Sequence, residues 1–249
     1  MANWSDPRTT AANYATGAGT RSDAYDAGLR SYMLSVYNYM ASGVLLTGIV
    51  AMLMVMSGAV MSLINPMTGA PSGLGWIVTF APLGIVFAMS FGQGRMQTST
   101  LQLLFWGFAV LMGASLSTIF LVYTGTSIAQ AFFATAAGFA GLSLYGYTTK
   151  KDLSGMGTFL IMGVVGLLVA MILNMFIQSS TMGLVISMLG VLIFAGLTAY
   201  DTQKIKSMYA HVAGTDMMGK VVIMGALNLY LDFINMFLFL LRLMGNNRG

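Results

Sequence analysis

The stretch VVIMGALNLYLDFINMFLFLLRL, running from Val221 to Leu243, holds a single carboxylate, Asp232, and its only cation, Arg242, lies next to its end. At 1.5 Å per helical residue it is about 33 Å long. That is enough to cross the roughly 30 Å hydrocarbon core of a bilayer. Asp232 lies about 16 Å from Val221 by the same rise, close to mid-membrane. A helix of this kind needs lipid outside the protein and a reason to keep one acid inside it.

The rest of the chain agrees. Apolar residues make up 57% of the 249 residues and charged ones 7%. Soluble domains carry about 25% charged residues, because their surfaces meet water. This chain cannot cover such a surface, so the expected fold class is an all-α integral membrane protein with seven transmembrane helices. Working outward from the last span, the other six fall at 33–58, 76–92, 101–123, 127–147, 157–178 and 183–204. Pro82 interrupts the second span, which is tolerated when neighbouring helices satisfy the freed carbonyl. The stretch 61–75, with Pro66, Gly69, Pro71, Gly73 and Gly75, reads as a loop. Residues 1–31 are polar and form a flexible N-terminal tail, leaving 32–249 as the transmembrane domain. The tail lacks the apolar core of a cleavable signal peptide.

Charge placement sets the topology. Nine of the eleven Lys and Arg residues fall on one side of a seven-span chain: Arg8, Arg21, Arg30, Arg95, Lys150, Lys151, Lys204, Lys206 and Lys220. The loops on the opposite side have none. The positive-inside rule then puts the N-terminus in the cytoplasm and the C-terminus outside. No basic cluster interleaved with aromatics occurs, so the +4 net charge does not point to nucleic acid.

Several chemistries are excluded by inventory. The chain has no Cys, and its one His, His211, makes a His-based zinc site improbable. The 23 Met are spread over most spans rather than clustered, so they read as packing residues. No HExxH, GxSxG or GxxxxGK[ST] motif occurs. Tyr200-Asp201 matches half of an intramembrane aspartyl hydrolase pattern, but no Gly-x-Gly-Asp partner follows. The expectation is a protein without enzymatic activity. Ala134-xxx-Gly138 and Ala137-xxx-Gly141 in the fourth span read as small residues that let helices pack closely within the bundle.

All seven acidic residues are Asp, and two lie within or against spans. An ionised side chain at the centre of a membrane helix costs about 2.5–3.5 kcal/mol on insertion scales, so Asp201 and Asp232 are the functional candidates. In the seventh span Asn228, Asp232 and Asn235 are spaced by four and three and share a face, with Gly225 and Arg242 nearby. In the sixth, Ser187, Gly190, Thr198 and Asp201 make a second stripe, interrupted by Phe194. Facing each other, the two stripes would bring both carboxylates together. Such a pair would share one proton or, with Asn carbonyls and water, offer the hard oxygen ligands that Ca²⁺ prefers. The plainer alternative is that each Asp caps or bonds a neighbouring helix.

Five blocks carry a resemblance. They are Gly28-Leu29-Arg30-Ser31-Tyr32-Met33, Met112-Gly113-Ala114-Ser115-Leu116-Ser117, Ser143-Leu144-Tyr145-Gly146-Tyr147-Thr148-Thr149-Lys150, Gly196-Leu197-Thr198-Ala199-Tyr200-Asp201-Thr202-Gln203 and Leu229-Tyr230-Leu231-Asp232-Phe233-Ile234-Asn235. From Gly28 to Arg248 the chain resembles the bacterial branch of the Bax inhibitor-1 family. The resemblance implies a central last helix wrapped by the other six, in a bacterial inner membrane. It also implies a pH-sensitive Ca²⁺ leak with Asp201 and Asp232 as the proton and calcium sensor, and with Thr198, Asn228 and Asn235 as polar lining on the same helices. No cofactor is implied beyond Ca²⁺ as a permeant or sensed ion. A second activity the resemblance implies is a non-conducting regulator that binds a membrane-embedded ATP-dependent quality-control protease. One feature departs from some bacterial members, which pair the dyad with an Arg at the end of the second helix. Here that region is Met89-Ser90-Phe91-Gly92-Gln93-Gly94, and Arg95 comes several residues late.

Overall fold

The computed structural model describes the backbone of residues 7–246 and the side chains of residues 23–246. Seven helices are long and apolar enough to span a membrane. They are α1 (Pro7–Met56), α2 (Gly73–Gly92), α3 (Thr98–Leu116), α4 (Gly125–Thr148), α5 (Ser154–Ile177), α6 (Ser180–Val212) and α7 (Met218–Met244). A single turn, Ile119–Val122, prolongs α3. Hydroxyl caps start three of the helices. Ser72, Thr124 and Ser179 accept the backbone N–H groups of Gly75, Ser127 and Met182 at 3.0, 3.2 and 3.2 Å, satisfying donors left free in a first turn. Pro82 is buried within α2, and the helix continues through it.

The last helix is the core. Of its membrane span 72% is buried, against 39% for α6 and 11% for α5. α6, α1, α4 and α3 pack directly on α7, while α2 rests chiefly on α3 and α5 chiefly on α6. Aromatic rings fill the joints. Phe105 and Phe108 meet Tyr230 edge-on at 6.4 and 5.0 Å, and Phe139 meets Phe233 at 5.5 Å.

Two helices run well past the expected spans, on the same side of the bundle. α6 continues for eight residues beyond Lys204, and α1 begins long before residue 33. The two extensions pack together: Tyr209 of α6 stacks against Tyr25 and Tyr32 of α1 at ring distances of 5.1 and 5.4 Å. The hydropathy reading stopped early because these segments are amphipathic rather than uniformly apolar. Leu29, Tyr32, Met33, Val36 and Met40 are buried at helical spacing between polar residues. Residues 1–6 of the expected flexible tail lie outside the described residues. From Pro7 the backbone is helical, and by Leu29 it belongs to the packed bundle.

The stretch expected as a loop at 61–75 falls in the connection between α1 and α2, which runs over 57–72 and is ordered. It holds a 3₁₀ turn at Ala59–Leu63 and an isolated bridge between Ile64 and Pro71. The reading of Ala134, Ala137, Gly138 and Gly141 as intramolecular packing residues is corrected. All four are exposed, and a methyl placed on Gly138 or Gly141 would meet nothing within 4 Å. The glycine in α4 that permits close approach is Gly146, whose Cα lies against the backbone carbonyl of Ala199 in α6.

Candidate functional site

Asp201 and Asp232 are brought together. α6 and α7 pack against each other more extensively than any other helix pair among the described residues, and the two carboxyl groups face each other across that interface. Asp232 is buried, at 4% exposure, while Asp201 is half-buried. A carboxylate is an acceptor only, so a bond between two of them requires one to carry a proton. Oδ2 of Asp232 is enclosed with no hydrogen-bond partner. An orphaned buried oxygen of this kind is rare and calls for a proton, a water or a cation.

The interface is tight around the pair for identifiable reasons. Gly225 of α7 packs on Ile205 of α6, so closely that a methyl on the glycine would sit 3.3 Å from that side chain. Further along, Gly190 lies under the ring of Phe239, and Phe194 stacks on the same ring at 5.9 Å. Phe194, which interrupts the polar stripe of α6, therefore belongs to the packing that holds the two helices in register.

The other expected polar residues behave differently. Thr198 is fully buried, and its hydroxyl donates to Phe194 O on its own helix at 2.8 Å. Asn235 Nδ2 donates to Leu231 O, again within its own helix, at 2.8 Å. Ser187 donates to Gly183 O at 2.8 Å. Asn228 is half-buried. These bonds satisfy the side chains locally, so the stripes place the carboxyl pair without feeding hydrogen bonds into it. Among the described residues no group of three or more acidic, His or Cys side chains converges. A cation at this site would draw two carboxylates from the protein and its remaining oxygens from water or backbone.

Sequence reasoning passed over several residues around the pair. Thr202, fully buried beside Asp201, reaches Ser143 of α4 at 3.4 Å. One turn beyond Asp201, Lys204 holds its Nζ 5.9 Å from the Tyr200 ring. Arg95, which the sequence places several residues past the end of the second helix, is exposed in the turn after α2. Two residues before Asp232, the Tyr230 hydroxyl meets the Thr47 hydroxyl of α1 at 2.7 Å, and Thr47 donates to Ala109 O of α3 at 2.9 Å. The only sequence signal for these contacts was that Ser143, Thr202 and Tyr230 fall inside the five resemblance blocks.

The family profile described as inhibitor of apoptosis-promoting Bax1 matches residues 29–249. The chain belongs to the Bax inhibitor-1 family. Within the Bax inhibitor-1 proteins it is similar to an uncharacterized protein of Rickettsia prowazekii, 48% identical over 230 residues, 92% of this chain and 95% of the relative. It is also similar to the inner membrane protein YbhL of Escherichia coli, 44% identical over 224 residues, 89% and 94% of the two chains. A Caulobacter vibrioides relative is 45% identical over 228 residues, 90% and 91%. The Bax inhibitor-1 match begins at Leu29, the first buried residue of α1 among those described. In this multi-pass membrane protein Asp201 and Asp232 stand on the two most enclosed of the seven described spans.

Proposed function

We propose that this protein is a pH-responsive cation leak pathway for Ca²⁺, gated at Asp201 and Asp232, in the inner membrane with its N-terminus and basic loops in the cytoplasm. The observation that carries the reading is the paired carboxyl groups between α6 and α7, with one oxygen of Asp232 enclosed and unpartnered. With one proton retained, the pair is hydrogen-bonded and the two helices are held together. Removing that proton leaves two anions face to face in a low-dielectric site, where their repulsion is large. The strain is relieved by taking up a cation or by moving α7 against α6. Movement is needed for conduction, because Tyr230, Phe233 and Phe237 pack aromatic rings around α7 on either side of Asp232. A two-carboxylate site completed by water is weak for Ca²⁺, which takes six to eight oxygens. Weak binding suits an ion that must also leave.

The test is Ca²⁺ flux into liposomes from about pH 6 to about pH 8, a range a buried carboxyl pair can reach. The wild type is expected to show pH-dependent flux, and Asp232→Asn and Asp201→Asn to flatten the profile. Normal pH-dependent flux in the double variant would sink the proposal. Ca²⁺ and protons also compete for the same oxygens, so adding Ca²⁺ to weakly buffered protein should release protons from the wild type and not from the double variant. Folded protein with no flux at any pH would favour the other reading, a non-conducting regulator that binds a membrane-embedded quality-control protease. Co-purification of such a protease, lost on deleting residues 2–28, is then the decisive measurement.

A further inference from the structure

The helices around α7 leave one side open. Between α1 and α4 runs a groove of about 840 Å³, floored by Phe233. Its walls are apolar, with Met40 and Val44 on one side and Ala136 and Phe139 on the other. Polar side chains line one half only, Arg30 and Tyr147 toward its end and Ser143 and Tyr37 nearer mid-length. Asp26 lies one turn further out on α1 and does not line the groove.

Dimensions restrict the occupant. Arg30 and Leu45, the outermost lining residues of α1, are about 22 Å apart at 1.5 Å per residue. Half of a bilayer including its headgroup layer is also about 20–22 Å. The groove thus spans one leaflet, from headgroup level at Arg30 to about the midplane. The guanidinium of Arg30 is exposed at the mouth, and guanidinium groups bind phosphate through paired hydrogen bonds.

We propose that this groove is a binding site for one anionic phospholipid, its acyl chain between α1 and α4 and its phosphate on Arg30. The occupied groove would brace the residues behind the dyad. Phe233 follows Asp232 directly, and Ser143 bonds Thr202 beside Asp201. Bulk lipid touching an exposed surface has no headgroup preference of this kind and leaves with detergent exchange.

The experiment is native mass spectrometry of the full chain, purified in mild detergent with phosphatidylglycerol or with phosphatidylethanolamine of identical chains. One phosphatidylglycerol per protein should be retained. Arg30→Gln should lower that retention about fivefold, the factor equivalent to one basic residue near an anionic lipid, and Arg30→Lys should restore part of it. Ala140→Trp, which fills the groove from an exposed lining position, should expel both lipids. Leu168→Trp on the lipid face of α5 should expel neither, and melting curves identify any variant that fails to fold. Equal retention of both lipids by the wild type and Ala140→Trp would overturn the proposal. So would a dimer mass whose crosslinks run between groove residues of two copies.

Discussion

α5 and α7 are built from similar residues and occupy opposite places. α5 is the most apolar of the seven spans and only 11% of it is buried; α7 is less apolar and 72% of it is buried. In a soluble protein that ranking would be reversed. Here the solvent is hydrocarbon, so an apolar face exposed to lipid costs nothing. A carboxyl or amide exposed to lipid costs several kcal/mol. Asp232 therefore drives α7 inward, while Ile161, Val165, Leu168 and Ile172 leave α5 at the rim, where all four are at least half exposed. Position in this bundle is decided by which helix cannot face lipid.

The sharpest break of that comparison is steric. Ala226→Trp places an indole at a fully buried position of α7. The cost should exceed the ~1–3 kcal/mol of ordinary overpacking, with loss of the monodisperse peak on size exclusion. Ile161→Trp on α5, 55% exposed, should elute and melt like the wild type. Equal damage from both would mean that α5 is covered by something other than lipid.

Next comes the exchange of polarity. Leu168→Asp puts a carboxylate on the lipid face of α5 and should cost about 2.5–3.5 kcal/mol of insertion, read as loss of folded protein in the membrane fraction. Asp232→Leu removes the enclosed acid and with it the like-charge repulsion on Asp201, and the ring and glycine contacts of α7 should keep the protein folded, read as an unchanged size-exclusion peak. A smaller effect is expected at the neighbouring hydroxyl pair. Tyr230→Phe deletes the bond to Thr47, which keeps its bond to Ala109 O, so the loss should be about 0.6 kcal/mol, the average for hydrogen bonds between membrane helices.

The least effect belongs to an acid outside the bundle. Asp152, fully exposed before α5, accepts from Ser154 N–H at 2.9 Å. Bonds to the Ser154 hydroxyl and N–H hold its carboxyl below the usual carboxylate range. A depressed carboxylate stabilises above its unfolded value and loses that contribution as pH falls through the depressed one. Asp152→Ala should therefore differ slightly from the wild type in melting temperature near neutral pH and converge with it in acid. A difference that persists in acid would mean that the side chain acts through something other than its charge.

Much of this was legible in residue order. Continuous apolar runs located the seven spans, because backbone hydrogen bonds must close within a segment in lipid. With the turn Ile119–Val122 counted in the third span, expected and observed limits differ by about three residues at most, apart from the start of α1 and the end of α6, where amphipathic turns leave the bilayer and no apolar run marks the boundary. The polar stripes pointed to Asp201 and Asp232, which face each other between α6 and α7, because a charge at mid-membrane is expensive. Asn235 and Thr198, expected as polar lining on the same stripes, bond to their own helices. Spacing shows that two side chains share a face and is silent on whether a nearer backbone carbonyl takes the donor. The small residues of α4 failed similarly, since Gly138 faces outward while Gly146 carries the contact with α6.

Solvent, span count and the two expensive acids follow from composition and order, because each is a one-dimensional consequence of lipid as solvent. Partners are another matter. That Asp201 meets Asp232, that Thr202 finds Ser143 on α4, and that α1 and α4 leave a leaflet-long groove over Phe233 depend on how seven helices rotate and lean. Those angles are set by ridges, glycines and aromatic rings interlocking between residues far apart in the chain, as with Gly190 under Phe239 and Gly146 on Ala199.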